Sequence, residues 1–251
     1  YKAPSNPKPL LVNHTEQSGW KYTHVENDFV DYNRNGLLKQ KYSTQGPALA
    51  VGDINGDGIE DVFIGGSATQ PKQIYLQTAS GRLSLKNMPS FEPYKGFEVV
   101  DALFFDADGD KDLDLYWVTG SNEFLPNDPQ LADCLFLNDG KGNFSLQALP
   151  YEAQFSPIRG IEVADFDHDG KVDILLAGNF FDSLPEWGRF DALYGLMLKG
   201  LGQGKFAAKR SKDTGFQTRG QVRKMAIAKG KGGNFVVLAK NNDKAQVFQV
   251  K

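Results

Sequence analysis

Three stretches of this sequence align without a gap: ALAVGDINGDGIEDVFIGG from Ala48, DALFFDADGDKDLDLYWVTG from Asp101 and GIEVADFDHDGKVDILLAG from Gly160. Their leading aspartates, Asp53, Asp106 and Asp165, stand 53 and 59 residues apart. A repeat of this kind constrains the fold more than any composition, because a single unit cannot bury its own apolar face and must stack on its neighbours. In each unit an apolar run (LAV, LFF, IEVA) enters an Asp/Gly turn and a second apolar run (DVFIGG, DLYWVTG, DILLAG) leaves it. A glycine-tipped hairpin follows: IYLQTASGRLSL, LFLNDGKGNFSL and LMLKGLGQGKFAA. Short runs around Gly, Asn and Asp turns read as antiparallel strands, about four per unit. Together they predict an all-β fold, a propeller-type array of four-stranded antiparallel blades. The 27 glycines, 18 phenylalanines and 9 tyrosines of the 251 residues suit many short strands joined by tight turns. The second runs, such as Val62 to Ile64 and Ile174 to Ala177, are continuously apolar and are expected to be covered on both faces.

A fourth unit, MAIAKGKGGNFVVLAKNNDKAQVFQVK, keeps the strand pattern, but Lys229 and Lys231 stand where the first two acidic residues should be. Residues 1–45 carry no such turn; a Pro-rich arm leads into WKYTHVENDFVDY and GLLKQKY, read as strands completing an edge. The expected organisation is therefore an arm over 1–45 and repeats over 46–251. Four clear units are few for a closed ring, so both a fragment of a larger propeller and an unusually small one fit the pattern.

The turns read Asp53-x-Asn55-Gly56-Asp57-Gly58-x-x-Asp61, Asp106-x-Asp108-Gly109-Asp110-x-x-x-Asp114 and Asp165-x-Asp167-x-Asp169-Gly170-x-x-Asp173. Side-chain oxygens at positions 1, 3, 5 and 9, with a backbone carbonyl at position 7 (Ile59, Asp112, Lys171), can wrap a hard cation that needs six to eight oxygen ligands. Calcium is the expected occupant, about three ions in all, since magnesium demands a stricter octahedron and the loops hold neither imidazole ligand nor thiolate. An EF-hand shares the first half of the pattern but needs a bidentate Glu at position 12. That position is Ile64, Trp117 and Leu176 here. The plainer alternative, polar hairpin turns without an ion, explains one such loop better than three in phase.

At these residues the sequence resembles the FG-GAP/VCBS repeat family, the repeat of integrin α-subunit heads, in which GDxNGDGxxDLxxG-like loops sit in propeller blades. The HVENDFVDYNRNGLLKQKYSTQGPALAVGD and GNFFDSLPEWGRFDALYGLMLKG stretches also look like VCBS-repeat surface proteins of Bacteroidetes related to the ASPIC/UnbV group. FIGGSA from Phe63 replaces the family's Phe-Gly-Gly-Ala-Pro string, and the fourth unit lacks ligands. The resemblance implies adhesion or recognition of a protein or glycan partner, outside the cytoplasm, at a cell surface or in a periplasm.

Few other signals compete. A net charge of −3 offers no attraction to nucleic acid or anionic lipid. No stretch approaches the length of a transmembrane helix, and any export signal is expected outside this stretch. Cys134 is the only cysteine, so no internal disulfide and no cysteine-based metal site is possible, and it reads as a buried small apolar residue. The sequons at Asn13 and Asn143 are weak three-residue matches, and His14, His24 and His168 are scattered. The span Asn179 to Tyr194 carries Phe180, Phe181, Trp187, Phe190 and Tyr194. An aromatic loop of this kind can stack on a sugar, grip a partner, or fold down on its own blades. Glu123 to Gln130 is a shorter candidate. Nucleophile-elbow and P-loop patterns are missing. The runner-up function, a polysaccharide lyase or hydrolase on a propeller scaffold, would draw on Glu26, Asp28, Glu123, Glu186 or Asp191, which no spacing pairs. A third reading is a purely structural segment of a larger surface protein.

Overall fold

The computed structural model describes residues 10–36, 38, 40–182 and 188–251. Each acidic turn joins the first two strands of an antiparallel sheet. The first sheet comprises β1 (Leu49–Gly52), β2 (Asp61–Ile64), β3 (Gln73–Gln77) and β4 (Leu83–Lys86), hydrogen-bonded in that order. The second comprises β5 (Val99–Phe105), β6 (Asp114–Thr119), β7 (Cys134–Asn138) and β8 (Phe144–Gln147). The third comprises β9 (Ile158–Ala164), β10 (Asp173–Gly178), β11 (Leu196–Gly202) and β12 (Lys205–Lys209). The fourth has three strands rather than four: β13 (Val222–Gly230), β14 (Gly233–Lys240) and β15 (Gln246–Gln249). Where an acidic loop would stand, Lys231 and Gly232 make a tight hairpin between β13 and β14.

The period-two alternation of a strand divides the core into three seams. In β6 every residue is buried. Leu115 and Trp117 point to the first sheet, meeting Ala50, Phe63 and Ile74, while Tyr116 and Val118 meet Ile174 and Leu176 of the third. β10 repeats the device, with Leu175 and Ala177 turned to Val222, Met225 and Leu238 of the fourth. This is the physical meaning of the unbroken apolar runs: a strand with a sheet on each side has no wet face. Trp117, fully buried, anchors the first seam; its ring stacks on Phe63 at 5.6 Å and meets Phe91 edge-on at 4.8 Å.

Among the described residues no fourth seam joins the last sheet to the first. The row Val51, Val62, Tyr75 and Leu85 lies on the free face of the first sheet, where Val51 and Leu85 are 50 % and 58 % exposed. The corresponding face of the fourth sheet carries Ala226, Val237 and Val247. The N-terminal arm covers part of the first free face: Trp20 stacks on Tyr75 at 4.8 Å, and the Tyr22 hydroxyl donates to the Gly65 carbonyl (2.9 Å). Among the described residues of this arm the expected edge strands are not formed. Its described residues hold two single helical turns, α1 (Thr15–Ser18) and α2 (Asp31–Arg34), and reach the sheet through side chains rather than a backbone ladder.

Candidate metal loops and an aromatic cleft

In all three loops the position-9 aspartate is fully buried and does the same work. Asp61 accepts from the amides of Ile54 (3.3 Å) and Gln77 (2.9 Å). Asp114 accepts from Ala107 (2.7 Å) and Asn138 (2.8 Å), and Asp173 from Phe166 (3.0 Å) and Gly200 (2.8 Å). Each thus ties its loop to the third strand of its own sheet. The position-1 aspartates organise the turn itself: Asp53 accepts from the amides of Gly56 and Gly58 (both 2.8 Å), and Asp106 from Gly109 (2.7 Å) and Lys111 (3.1 Å). Asp165 accepts from Asp169 (3.1 Å) and Gly170 (2.9 Å). The turn demands left-handed backbone at position 6, supplied by Gly58 (φ 82°) and Gly170 (φ 84°) but by Lys111 (φ 76°) in the second loop.

Asp106, Asp108 and Asp114 bring one carboxylate oxygen each within 4.8 Å of one another, and so do Asp165, Asp167 and Asp173. These are positions 1, 3 and 9. Position 3 of the first loop is Asn55, whose amide oxygen accepts from the Asp57 amide (2.9 Å). The position-5 side chains Asp57, Asp110 and Asp169 instead accept from the amides of Ile59 (2.8 Å), Asp112 (3.0 Å) and Lys171 (3.0 Å), the position-7 residues. Burial raises the pKa of Asp114 to about 7 and that of Asp112 to about 6, with neighbouring carboxylates adding to both. Asp61, Asp108 and Asp173 are raised as well, burial first. Carboxylates so placed suit a divalent cation, which removes their repulsion and restores the charged form. In the third loop the Lys199 ammonium donates to Asp167 and, at 2.9 Å, to Asp169.

A relay between units was not evident from the sequence. The Asn138 side chain of the second unit donates to the Ile54 carbonyl of the first loop (2.8 Å). The Gln203 amide of the third unit donates to the Asp108 carbonyl (3.4 Å), and His168 Nε2 of the third loop lies 3.1 Å from the Lys251 carbonyl of the fourth. Each loop is thus held by the unit that follows it. Glycines at the hairpin tips permit the approach; a Cβ on Gly204 would stand 2.5 Å from Leu137. The only sequence signal is the Asn and Gly content of those hairpins, which turn formation explains equally well.

The aromatic span is anchored by Asn179, 3 % exposed and left-handed (φ 82°), whose side chain binds the backbone of Leu193 in both directions. Phe180 and Phe190 close the loop as a two-residue bridge. Both line a cleft of about 530 Å³ with Tyr42, Arg34, Asn122 and Arg159. Tyr42 meets Phe180 edge-on at 4.9 Å. The cleft also takes in Phe124, Pro126 and Asp128 of the shorter candidate segment. Arg189 lies over the Phe181 ring (4.7 Å), and Tyr194 is 46 % exposed under Arg219. Trp187 and Glu186 lie outside the described residues. Of the other acidic candidates, Asp28 and Asp191 are exposed, and neither Glu26 nor Glu123 lines the cleft. Cys134 is buried, as expected.

Residues 53–117 match the sequence model of the FG-GAP-like repeat. No curated protein matches the chain. The matched span runs from the first residue of the first acidic loop to Trp117 in β6, so the chain is similar to FG-GAP-like repeats across its first loop, its second loop and the seam between them.

Proposed function

We propose that this chain is a calcium-stapled recognition module working outside the cytoplasm, with protein or glycan ligands taken up at the aromatic cleft. The observation that carries the reading is the recurrence of one acidic loop in three consecutive sheets, with positions 1, 3 and 9 converging in the second and third. The similarity to FG-GAP-like repeats supports it. The narrower likeness to VCBS-repeat surface proteins points to the same setting. Calcium sites of extracellular modules are commonly weak, with Kd on the order of 0.1 to 1 mM, so they fill outside a cell and scarcely inside one. Phe180, Phe190 and Tyr42 offer flat faces to a sugar ring or an apolar side chain, and Arg159 and Asn122 offer polar contacts beside them. Glycan and protein arrays probed with the calcium-loaded chain test the reading. Binding that Phe190→Ala abolishes while melting temperature holds supports it, and arrays silent for the folded, loaded chain contradict it.

The two free apolar sheet faces favour a second reading, a structural segment of a larger ring whose further sheets cover Val51, Leu85, Val237 and Val247. Charged substitutions on these faces would leave array binding intact under the first reading and disrupt assembly of a longer chain under the second.

A further inference from the structure

Two hollows lie at the ends of the strands away from the acidic loops. The aromatic cleft takes in Ile158 and Arg159 at the start of β9, and Gly120 and Phe180 just after β6 and β10. The loops stand at the other ends of those strands, about 20 Å away along an extended strand such as β9. A second cavity of about 480 Å³ opens among β5, β9 and β13, lined by Ala102, Ile161 and Met225 together with Arg159, Arg223 and Lys224. Cleft and cavity share Gln45, Ile158 and Arg159, so Arg159 borders both.

Arg159 is half-buried and, among the described residues, has no ion pair and no side-chain hydrogen bond. Arg223 differs: its Nη2 donates to Asp182 (3.4 Å). The acids in the two linings hold backbone amides instead. Asp101 accepts from Ala102, Asp128 from Gln130 and Asp133 from Thr119, each at 2.9 Å. Burial, and then the charge of Arg223, lower the Arg159 pKa, yet a guanidinium keeps its proton in a protein. The surroundings add positive charge. From Lys199 onward the only acidic residues are Asp213 and Asp243, among many Lys and Arg, so this side of the molecule attracts anions despite the net charge of −3.

We propose that Arg159 binds the anionic group of an acidic glycan, a carboxylated or sulfated sugar whose ring lies against Phe180 and Phe190 in the same cleft. The inference rests on the aromatic cleft as the binding site and narrows its ligand class. A guanidinium forks onto two oxygens of a carboxylate or sulfate, and a partly buried cation without a partner gains most from such a ligand. An acidic peptide fits the cleft less well. A peptide that adds to a strand needs free backbone groups, and those of Phe180 and Phe190 already bond each other (2.8 and 2.9 Å). What the cleft leaves open is flat aromatic faces with a fork of donors beside them, which suits a sugar ring carrying an anion.

An array of galacturonate, hyaluronan and heparin oligosaccharides, each beside a neutral carboxyl-reduced or desulfated counterpart, tests the inference on the calcium-loaded chain, with calorimetry on the probes that bind. The expected result is binding of an acidic probe, with its neutral counterpart at least about tenfold weaker. Arg159→Gln should weaken the acidic probe by about 10- to 100-fold and leave the melting temperature unchanged or higher, since it removes an unpaired charge. Arg159→Lys, which keeps the charge without the fork, should fall between the two. Retention of binding after desulfation assigns the carboxylate, and its loss assigns the sulfate. The comparison of acidic and neutral probes needs only the native chain and holds should a variant fail to fold. Equal affinity for acidic and neutral forms overturns the proposal, as does a preference that survives Arg159→Gln. Neutral glycans or proteins whose binding Phe190→Ala abolishes would overturn it while leaving the cleft a binding site. Silence of every glycan and protein probe contradicts both.

Discussion

Lys199 of the third sheet sets its ammonium group 2.9 Å from the Asp169 carboxylate and also against Asp167, so a protein cation occupies the edge of the third acidic loop. The same contact holds the Asp169 carboxyl below its usual range. Calcium must displace this lysine, and the third loop is expected to be the weakest of the three. Lys199→Met should tighten one calcium site by up to about fivefold, the worth of an exposed ion pair, and leave the others unchanged. Calorimetric titration of the two proteins side by side measures the difference.

The position-9 aspartates predict a contrast within one loop. Asp114 accepts two backbone amide hydrogens in a fully buried setting, whereas Asp110 sits on the exposed rim. Asp114→Asn turns a donor toward one of those amides and should cost about 1 to 3 kcal/mol even in chelator. Asp110→Asn should leave the metal-free stability nearly unchanged. Urea unfolding with and without calcium separates the two roles.

This contrast marks how far the sequence could be read. The repeat, the strand order of the first three sheets and the double-sided burial of β6 and β10 follow from apolar runs and Asp/Gly turns. The sequence does not distinguish an aspartate that ties its loop to a neighbouring strand from one that only closes the turn, because Asp61 and Asp57 occupy the same pattern. The expected strands before residue 45 failed for a related reason: Trp20, Tyr22 and His24 alternate as a strand would, yet here they pack as side chains on a sheet already formed.

Asp133 supplies a pH test away from the acidic loops. It is buried, accepts from the Thr119 amide (2.9 Å) and the Tyr116 hydroxyl (3.1 Å), and burial raises its pKa to about 7. A carboxyl whose folded pKa is raised contributes stability that is fully present below its unfolded pKa and is lost as pH rises through the folded value. The Asp133 contribution should therefore fall between about pH 4 and 7. Asp133→Asn keeps an acceptor for Thr119 and removes the charge, so its unfolding profile in chelator should be flatter over that window.

Trp117 joins the first two sheets through Phe63, Phe91 and Phe136. Trp117→Ala should lower stability by about 3 to 5 kcal/mol, and calcium should only partly restore it, because the ions act at the strand turns rather than in the seam. Thermal unfolding at fixed calcium checks this.

The most direct test of the whole account is thermal unfolding of the metal-stripped chain titrated with calcium and, separately, with magnesium, together with the count of ions bound. At calcium about 100-fold above Kd each site should add about 2.7 kcal/mol, roughly 5 to 10 °C for a chain of this size. The account predicts a calcium-selective rise, with about three ions held by the loops. An unchanged melting temperature with no ion bound would contradict it, and would make the acidic loops ordinary turns.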